Sequence, residues 1–131
     1  MEIPHTIQVG QTHRQNFTVE PHHTAEHIGS GSVQVLATPM MIAYMETTAL
    51  NLLQPHLPDG YSSVGTRVDV RHLAPSPLGS LITVSAEVEQ IDGAKVTLKV
   101  AAREGETLVG SGIHIRYLIE VVQFMKKLKK D

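Results

Sequence analysis

The sequence predicts an α+β domain in which an antiparallel sheet wraps around one long central helix. Three observations carry this. The stretch from Thr38 to Leu57 has a helix start, a helix stop and apolar residues around nearly its whole circumference. After it, four runs between Ser63 and Leu118 alternate with period two and are separated by turn residues. No second long helical pattern interrupts those runs, so they read as consecutive antiparallel strands rather than βαβ units.

The helix comes first in the argument. Thr38 is expected as its N-cap, because a threonine hydroxyl can accept from a free amide of the first turn. Pro39 is then expected at the first helical position, where its missing N–H costs nothing. Pro55 stops the helix, since an interior proline loses a hydrogen bond and clashes with the preceding turn. Met40, Met41, Ile42, Ala43, Tyr44, Met45, Ala49, Leu50, Leu52 and Leu53 leave almost no polar face. Such a helix is expected to be buried. At about 16 residues between its prolines, with Glu46 inside, it is too short for a membrane span. Glu46 is then an ionisable group within a core helix. It either marks a functional site, faces a wet groove or pairs with an arginine. One sheet covers only one side of an apolar helix, so a second copy related by a two-fold axis is expected to cover the rest.

The remaining elements follow in order. Residues 1 to 10 are a lead-in, and Gln11 to Val19 is a strand of poor alternation. Glu20 to Ser32 is rich in histidine, proline and glycine and reads as a loop or lid. Val33 to Leu36 is a short extended entry to the helix. In Ser63 to Leu73, strict alternation puts Val64, Thr66, Val68, Val70 and His72 on one face, and Gly65, Arg67, Asp69 and Arg71 on the other. Leu81 to Ile91 follows, then Asp92-Gly93 as a tight hairpin, then a strand carrying Val96, Leu98, Val100 and Ala102. In Leu108 to Leu118, Val109, Ser111, Ile113, Ile115 and Tyr117 share a face. Ile119 to Asp131 is a short amphipathic helix or solvated tail, made basic by Lys126, Lys127, Lys129 and Lys130.

The totals bound the function. A chain of 131 residues is expected to form a single domain over 1–131. A net charge of −2 and a pI near 6.4 give no case for nucleic acid as a partner. The absence of cysteine excludes disulfides, thiolate metal sites and a cysteine nucleophile. With no leader-like N-terminus and no long apolar run, a cytoplasmic location without membrane partners is expected.

Thr38, Glu46 and His72 are the candidates for chemistry. A carboxylate and an imidazole converging in a core make an acid–base pair, and a nearby hydroxyl adds a donor or nucleophile. Thr38 and Glu46 are eight residues apart, about 12 Å along a straight helix, too far for a direct hydrogen bond. The substrate lies between them, or the helix start is distorted, or they meet across a dimer interface. Gly65 is a glycine inside a strand, which marks either a close approach with its N–H as oxyanion donor or a bulge. His23 and His27 are spaced as metal ligands, but no pattern elsewhere completes a site, so no metal is expected. Gly110-Ser111-Gly112 opens no helix and reads as close backbone packing rather than a phosphate loop.

These residues resemble a known group. The order of elements resembles the hotdog fold, and the motifs resemble the fluoroacetyl-CoA thioesterase branch of that superfamily. The similarity runs through Phe17-Thr-Val-Glu-Pro-His22-His-Thr-Ala-Glu-His27, Val35-Leu-Ala-Thr-Pro-Met-Met-Ile-Ala-Tyr-Met-Glu46, Ser63-Val-Gly-Thr-Arg-Val-Asp-Val-Arg-His72 and Val109-Gly-Ser-Gly-Ile-His-Ile-Arg116. The gap of eight residues from threonine to glutamate, and of 26 from glutamate to histidine, fits that family's catalytic triad. The resemblance implies hydrolysis of an acyl-CoA thioester by Thr38, Glu46 and His72, with Gly65 helping to hold the carbonyl. The homodimer expected from the helix is open to further pairing into tetramers, and thioester hydrolysis calls for no cofactor beyond the CoA of the substrate. The fluoroacetyl-specific enzyme has a longer, aromatic-containing lid before the helix. Here only Gly29-Ser-Gly-Ser-Val33 fills that span, so a different small or medium acyl group is expected. The competing reading is a non-catalytic acyl-CoA or small-ligand binding protein on the same fold. An enoyl-CoA hydratase ranks last, because the aspartate-to-histidine spacing of that class is not evident.

Overall fold

The prolines bracket the long helix as the sequence suggests, with one displacement at its start. The computed structural model describes residues 2–129. In it the first strand, β1, is Thr12–Thr18, and a short helix α1 covers Ala25–Ile28. The long helix α2 is Thr38–Leu53, followed by a 3₁₀ turn at Gln54–His56 that contains Pro55. Then come β2 (Tyr61–His72), β3 (Leu81–Asp92), β4 (Lys95–Glu104), β5 (Thr107–Glu120) and a terminal helix α3 (Val121–Leu128). The expected lid is thus partly helical. Thr24 caps α1 by accepting from the His27 amide at 3.3 Å, and Gly29 ends it in a left-handed conformation at φ 89°.

The strands form one antiparallel sheet in the order β1-β3-β4-β5-β2. The chain after α2 therefore crosses to the far edge, pairs with β5, and leaves β2 with a free outer edge. Helix α2 lies against β1, β2, β3 and β4. Its Met41, Met45, Ala49, Leu52 and Leu53 are buried against Ile82, Val84, Ala86 and Val88 of β3 and Val96, Leu98 and Val100 of β4. Removing these side chains from water is the main force joining helix to sheet.

Three expectations are corrected. Thr38 is not the N-cap. Ala37 holds that position, its carbonyl accepting from the amides of Met40 and Met41, and Thr38 and Pro39 are the first two helical residues. The helix is not buried all round. Met40, Ile42, Ala43, Glu46 and Leu50 are half-buried, and Thr47 and Asn51 are exposed. The third correction concerns faces. The β2–β5 register slips between Gly65 and Arg67, so Thr66 is an extra residue in β2. A one-residue slip reverses which way the side chains point. Gly65 therefore faces the helix, as Val70 and His72 do, and does not lie opposite them.

Val109 is buried in the core as expected, but from Gly110 onward the inner face of β5 is likewise the set the alternation left aside. Gly110, Gly112, His114, Arg116 and Leu118 face the helix or the inner side of β2. A Cβ on Gly110 would sit 2.5 Å from the Met41 sulfur, and one on Gly112 would strike the Asp69 carbonyl. Both glycines are close-packing positions, as their sequence context suggests. At the C-terminus, Glu120 caps α3 by accepting from the Gln123 amide at 2.6 Å. The basic tail remains exposed through Lys129, while Lys130 lies outside the described residues.

Candidate active site

The four residues singled out from sequence fall into two pairs. Helix α2 begins at Thr38 beside the end of β2, and the Thr38 hydroxyl meets His72 Nδ1 at 2.8 Å. The hydroxyl is free to do so because Ala37, not Thr38, caps the helix. His72 Nε2 is buried, with no hydrogen-bond partner among the described residues. Burial lowers the His72 pKa from its ordinary 6.5, and the Ala74 backbone opposes this in part. The pair opens into a hollow of about 330 Å³, walled on the lid side by Ala25, Ser30 and Val35 and on the other by Leu73 and Pro75.

Two turns along α2, Glu46 lies against Gly65. A Cβ built on Gly65 would sit 2.7 Å from Glu46 Oε2, so only glycine leaves the carboxylate its place. Of the two readings of Gly65, the structure shows the bulge beside it, and it also brings the Glu46 side chain against it. Glu46 is half-buried and opens into a second hollow of about 340 Å³, lined also by Leu50, Ser63 and Arg116. It is a carboxylate in an open groove, not one sealed in the core. Among the described residues it has no ion-pair partner within 4 Å; the ion pair found there is Arg67–Asp69, at 3.5 Å on the surface. No hydrogen bond links Glu46 to Thr38 or His72 among the described residues.

Sequence reasoning gave no role to the polar cluster behind Glu46. Arg116 is buried at 6% exposure, and its guanidinium donates from Nε to Ser63 Oγ at 2.8 Å and from Nη2 to the Ser63 carbonyl at 2.9 Å. His114 is buried beside it. Burial lowers the Arg116 pKa, and the negative charge of Glu46 opposes that shift. The signal lay in β5 itself, where two glycines, a histidine and an arginine alternate in phase with Leu118. Apolar patterning alone favoured the other face.

The lid is pinned by aromatic contacts. Phe17 stacks on Tyr44 with centroids 4.3 Å apart, and the Tyr44 hydroxyl donates to His23 Nδ1 at 2.8 Å. Burial, aided by the Glu20 charge, pushes the Tyr44 pKa up to about 12, so it remains a donor. Among the described residues no three histidine, aspartate or glutamate side chains are placed to hold a metal ion. No described helix is long and apolar enough to cross a membrane.

Burial also lowers the His114 pKa from 6.5, with the Arg67 carbonyl opposing it and the Arg116 charge adding to it. In the unfolded chain His72 and His114 take up protons near 6.5, whereas the folded protein holds both neutral to lower pH. The unfolded state then binds more protons, so stability falls as the pH drops. The melting temperature should be flat above about pH 7 and fall between about pH 6.5 and 5. In His114→Gln, melted across the same range, the fall should be shallower; an equal slope would remove His114 from the account.

The family model described as fluoroacetyl-CoA-specific thioesterase (FlK) matches residues 19–122. The fluoroacetyl-CoA thioesterase of Streptantibioticus cattleyicolor is 32% identical over 130 residues, covering 95% of this chain and 94% of the relative. A solved structure of fluoroacetyl-CoA thioesterase FlK superposes with a TM-score of 0.88 at 31% identity, covering 96% of this chain and 99% of the other. A hot-dog-like protein from Thermanaerovibrio acidaminovorans superposes with a TM-score of 0.86 at 26% identity, over 93% of this chain and 90% of that one.

Proposed function

Because the chain belongs to the fluoroacetyl-CoA-specific thioesterase family and is an acyl-CoA thioester hydrolase, we propose that its active site forms between two copies, with Thr38 and His72 from one and Glu46 and Gly65 from the other. The carrying observation is the split itself. Two complementary half-sites open into separate hollows on one chain, about 12 Å apart along α2. The free edge of β2 supports the pairing, since it runs from the Gly65 end to the His72 end. Antiparallel pairing of two such edges about a two-fold axis brings the Gly65 end of one strand toward the His72 end of the other. The half-buried face of α2, from Met40 to Leu50, supports it too, because a partner would cover that face. A further pairing of dimers into tetramers is compatible with this arrangement.

In this reading the thioester carbonyl lies between the half-sites. Glu46 supplies the attack on the carbonyl carbon, either by deprotonating a water that adds there or by adding itself to form an anhydride that a water then hydrolyses, and on both routes the carbon–sulfur bond breaks. His72, neutral at rest, takes up the proton that the water gives up and passes it to the departing thiolate, and the Thr38 hydroxyl fixes the ring that does so. The Gly65 amide donates to the carbonyl oxygen as it gains charge. No metal or redox cofactor enters these steps. The apolar walls beside Thr38 and the short lid without phenylalanine suit a small or medium acyl group other than fluoroacetyl. The absence of cysteine suits a cytoplasmic location.

The test is release of CoA thiol from short, branched and aryl acyl-CoAs, made with Glu46→Ala, His72→Ala and a refolded mixture of the two. Each variant alone should be inactive. The mixture should recover about a quarter of the unsubstituted rate, since half the dimers are mixed and each has one intact site. No recovery from a mixture shown to contain mixed dimers would place both residues of a site on one chain. No turnover by the unsubstituted protein, with CoA esters still bound, would favour the binding module.

A further inference from the structure

We propose that His114 is the positioning residue that aims Arg116 into the Gly65–Glu46 hollow, an inference that rests on reading that hollow as the side from which the thioester is attacked. The hydrogen bonds fix the state of the ring. His114 Nδ1 lies 2.8 Å from the Arg67 backbone carbonyl, which can only accept, so Nδ1 carries the hydrogen. His114 Nε2 lies 3.1 Å from Arg116 Nη1, which can only donate, so Nε2 is a bare lone pair. A neutral imidazole with its proton on Nδ1 satisfies both neighbours. The other tautomer would set lone pair against lone pair and N–H against N–H. An imidazolium would point its second N–H at a guanidinium.

This pairing is unusual for a buried arginine. Nε and Nη2 are tied to Ser63 and Nη1 to His114, with no carboxylate within 4 Å among the described residues. A guanidinium has five N–H donors, so two remain uncommitted. A Cβ on Gly65 would touch His114 Cε1 at 3.1 Å and Arg116 Nη1 at 3.4 Å, so both side chains crowd Gly65, and Arg116 lines the hollow with Glu46 while His114 stands behind it. Arg116 thus presents charge and spare donors to the space where a carbonyl oxygen turns negative, and a neutral acceptor holds it there without cancelling its charge. Removing that acceptor lets the guanidinium swing toward Glu46 and pair with it, which takes both groups out of use. The other contact of His114 clips the bulge at Arg67, a structural task that a different substitution can isolate.

Asparagine and glutamine separate the two tasks. An asparagine amide falls near Nδ1 and keeps the Arg67 contact while losing the acceptor for Arg116. A glutamine oxygen falls near Nε2 and keeps that acceptor while losing the Arg67 contact. His114→Asn should lower kcat by about 10²-fold with little change in KM, and His114→Gln should stay within about threefold of the unsubstituted kcat. A merely structural role predicts the reverse order. Nitrogen-15 shifts of the imidazole in the unsubstituted protein should show a neutral ring protonated on Nδ1 at neutral pH. Equal losses in the two variants, the reverse order, or an Nε2–H or charged ring would overturn the proposal alone. Absence of turnover in the unsubstituted protein would overturn the thioesterase reading and this role with it.

Discussion

Replacing Glu46 by glutamine should lower the rate of CoA release by roughly 10³-fold or more, about 4 kcal/mol of transition-state stabilisation, while leaving the fold intact. Glutamine matches glutamate in shape but neither attacks a carbonyl nor takes a proton from water. The fold should survive because Glu46 is half-buried and makes no ion pair among the described residues. The charge it removes is one that opposes the lowering of the Arg116 pKa, so a small loss of stability is the most that should follow. The measurement is single-turnover thiol release beside a thermal melt. A variant that keeps more than about a tenth of the activity would take Glu46 out of the chemistry.

The largest expected effect on stability lies at Gly112. Its backbone is ordinary, since it is not among the glycines with positive φ. The constraint is contact. A Cβ there would strike the Asp69 carbonyl and sit 2.6 Å from Val70 Cα, both in the backbone of the paired strand β2. Backbone has no rotamer to yield, so β2 and β5 would have to part. Gly112→Ala should cost about 3 kcal/mol and lower the melting temperature by roughly 10 °C. Gly79 makes the control. It sits at φ 91° with nothing among the described residues within 4 Å of the added atom, so alanine there meets only the left-handed strain of about 1 kcal/mol. Equal costs at the two positions would mean that the strands do not approach as closely as the structure has them.

The sequence carried the frame of this molecule in its punctuation and periodicity. Pro39 and Pro55 bracket α2, and Asp92-Gly93 separates β3 from β4 where expected. Thr38, Glu46, Gly65 and His72 all line the hollows beside α2. What stayed hidden was the effect of one inserted residue. Thr66 looks like any member of an alternating strand, yet its exclusion from the β2–β5 register turns Gly65 toward the helix. The cap at Ala37 was hidden because its contribution is a backbone carbonyl, which every residue has. Arg116 and His114 were hidden because they share a face with two glycines. A glycine reports nothing about burial until the atoms that crowd it are known.

The two walls of the site differ in how far they can change. On the sheet side, Gly65 leaves no room for a single added carbon beside Glu46, so mutation there displaces the carboxylate before any change in selectivity. On the lid side, Ser30 is exposed and Val35 half-exposed, and both border the Thr38–His72 hollow without bearing the sheet. Drift among relatives and directed evolution in the laboratory should therefore rewrite acyl preference from the lid, while Gly65 passes unaltered from one specificity to the next.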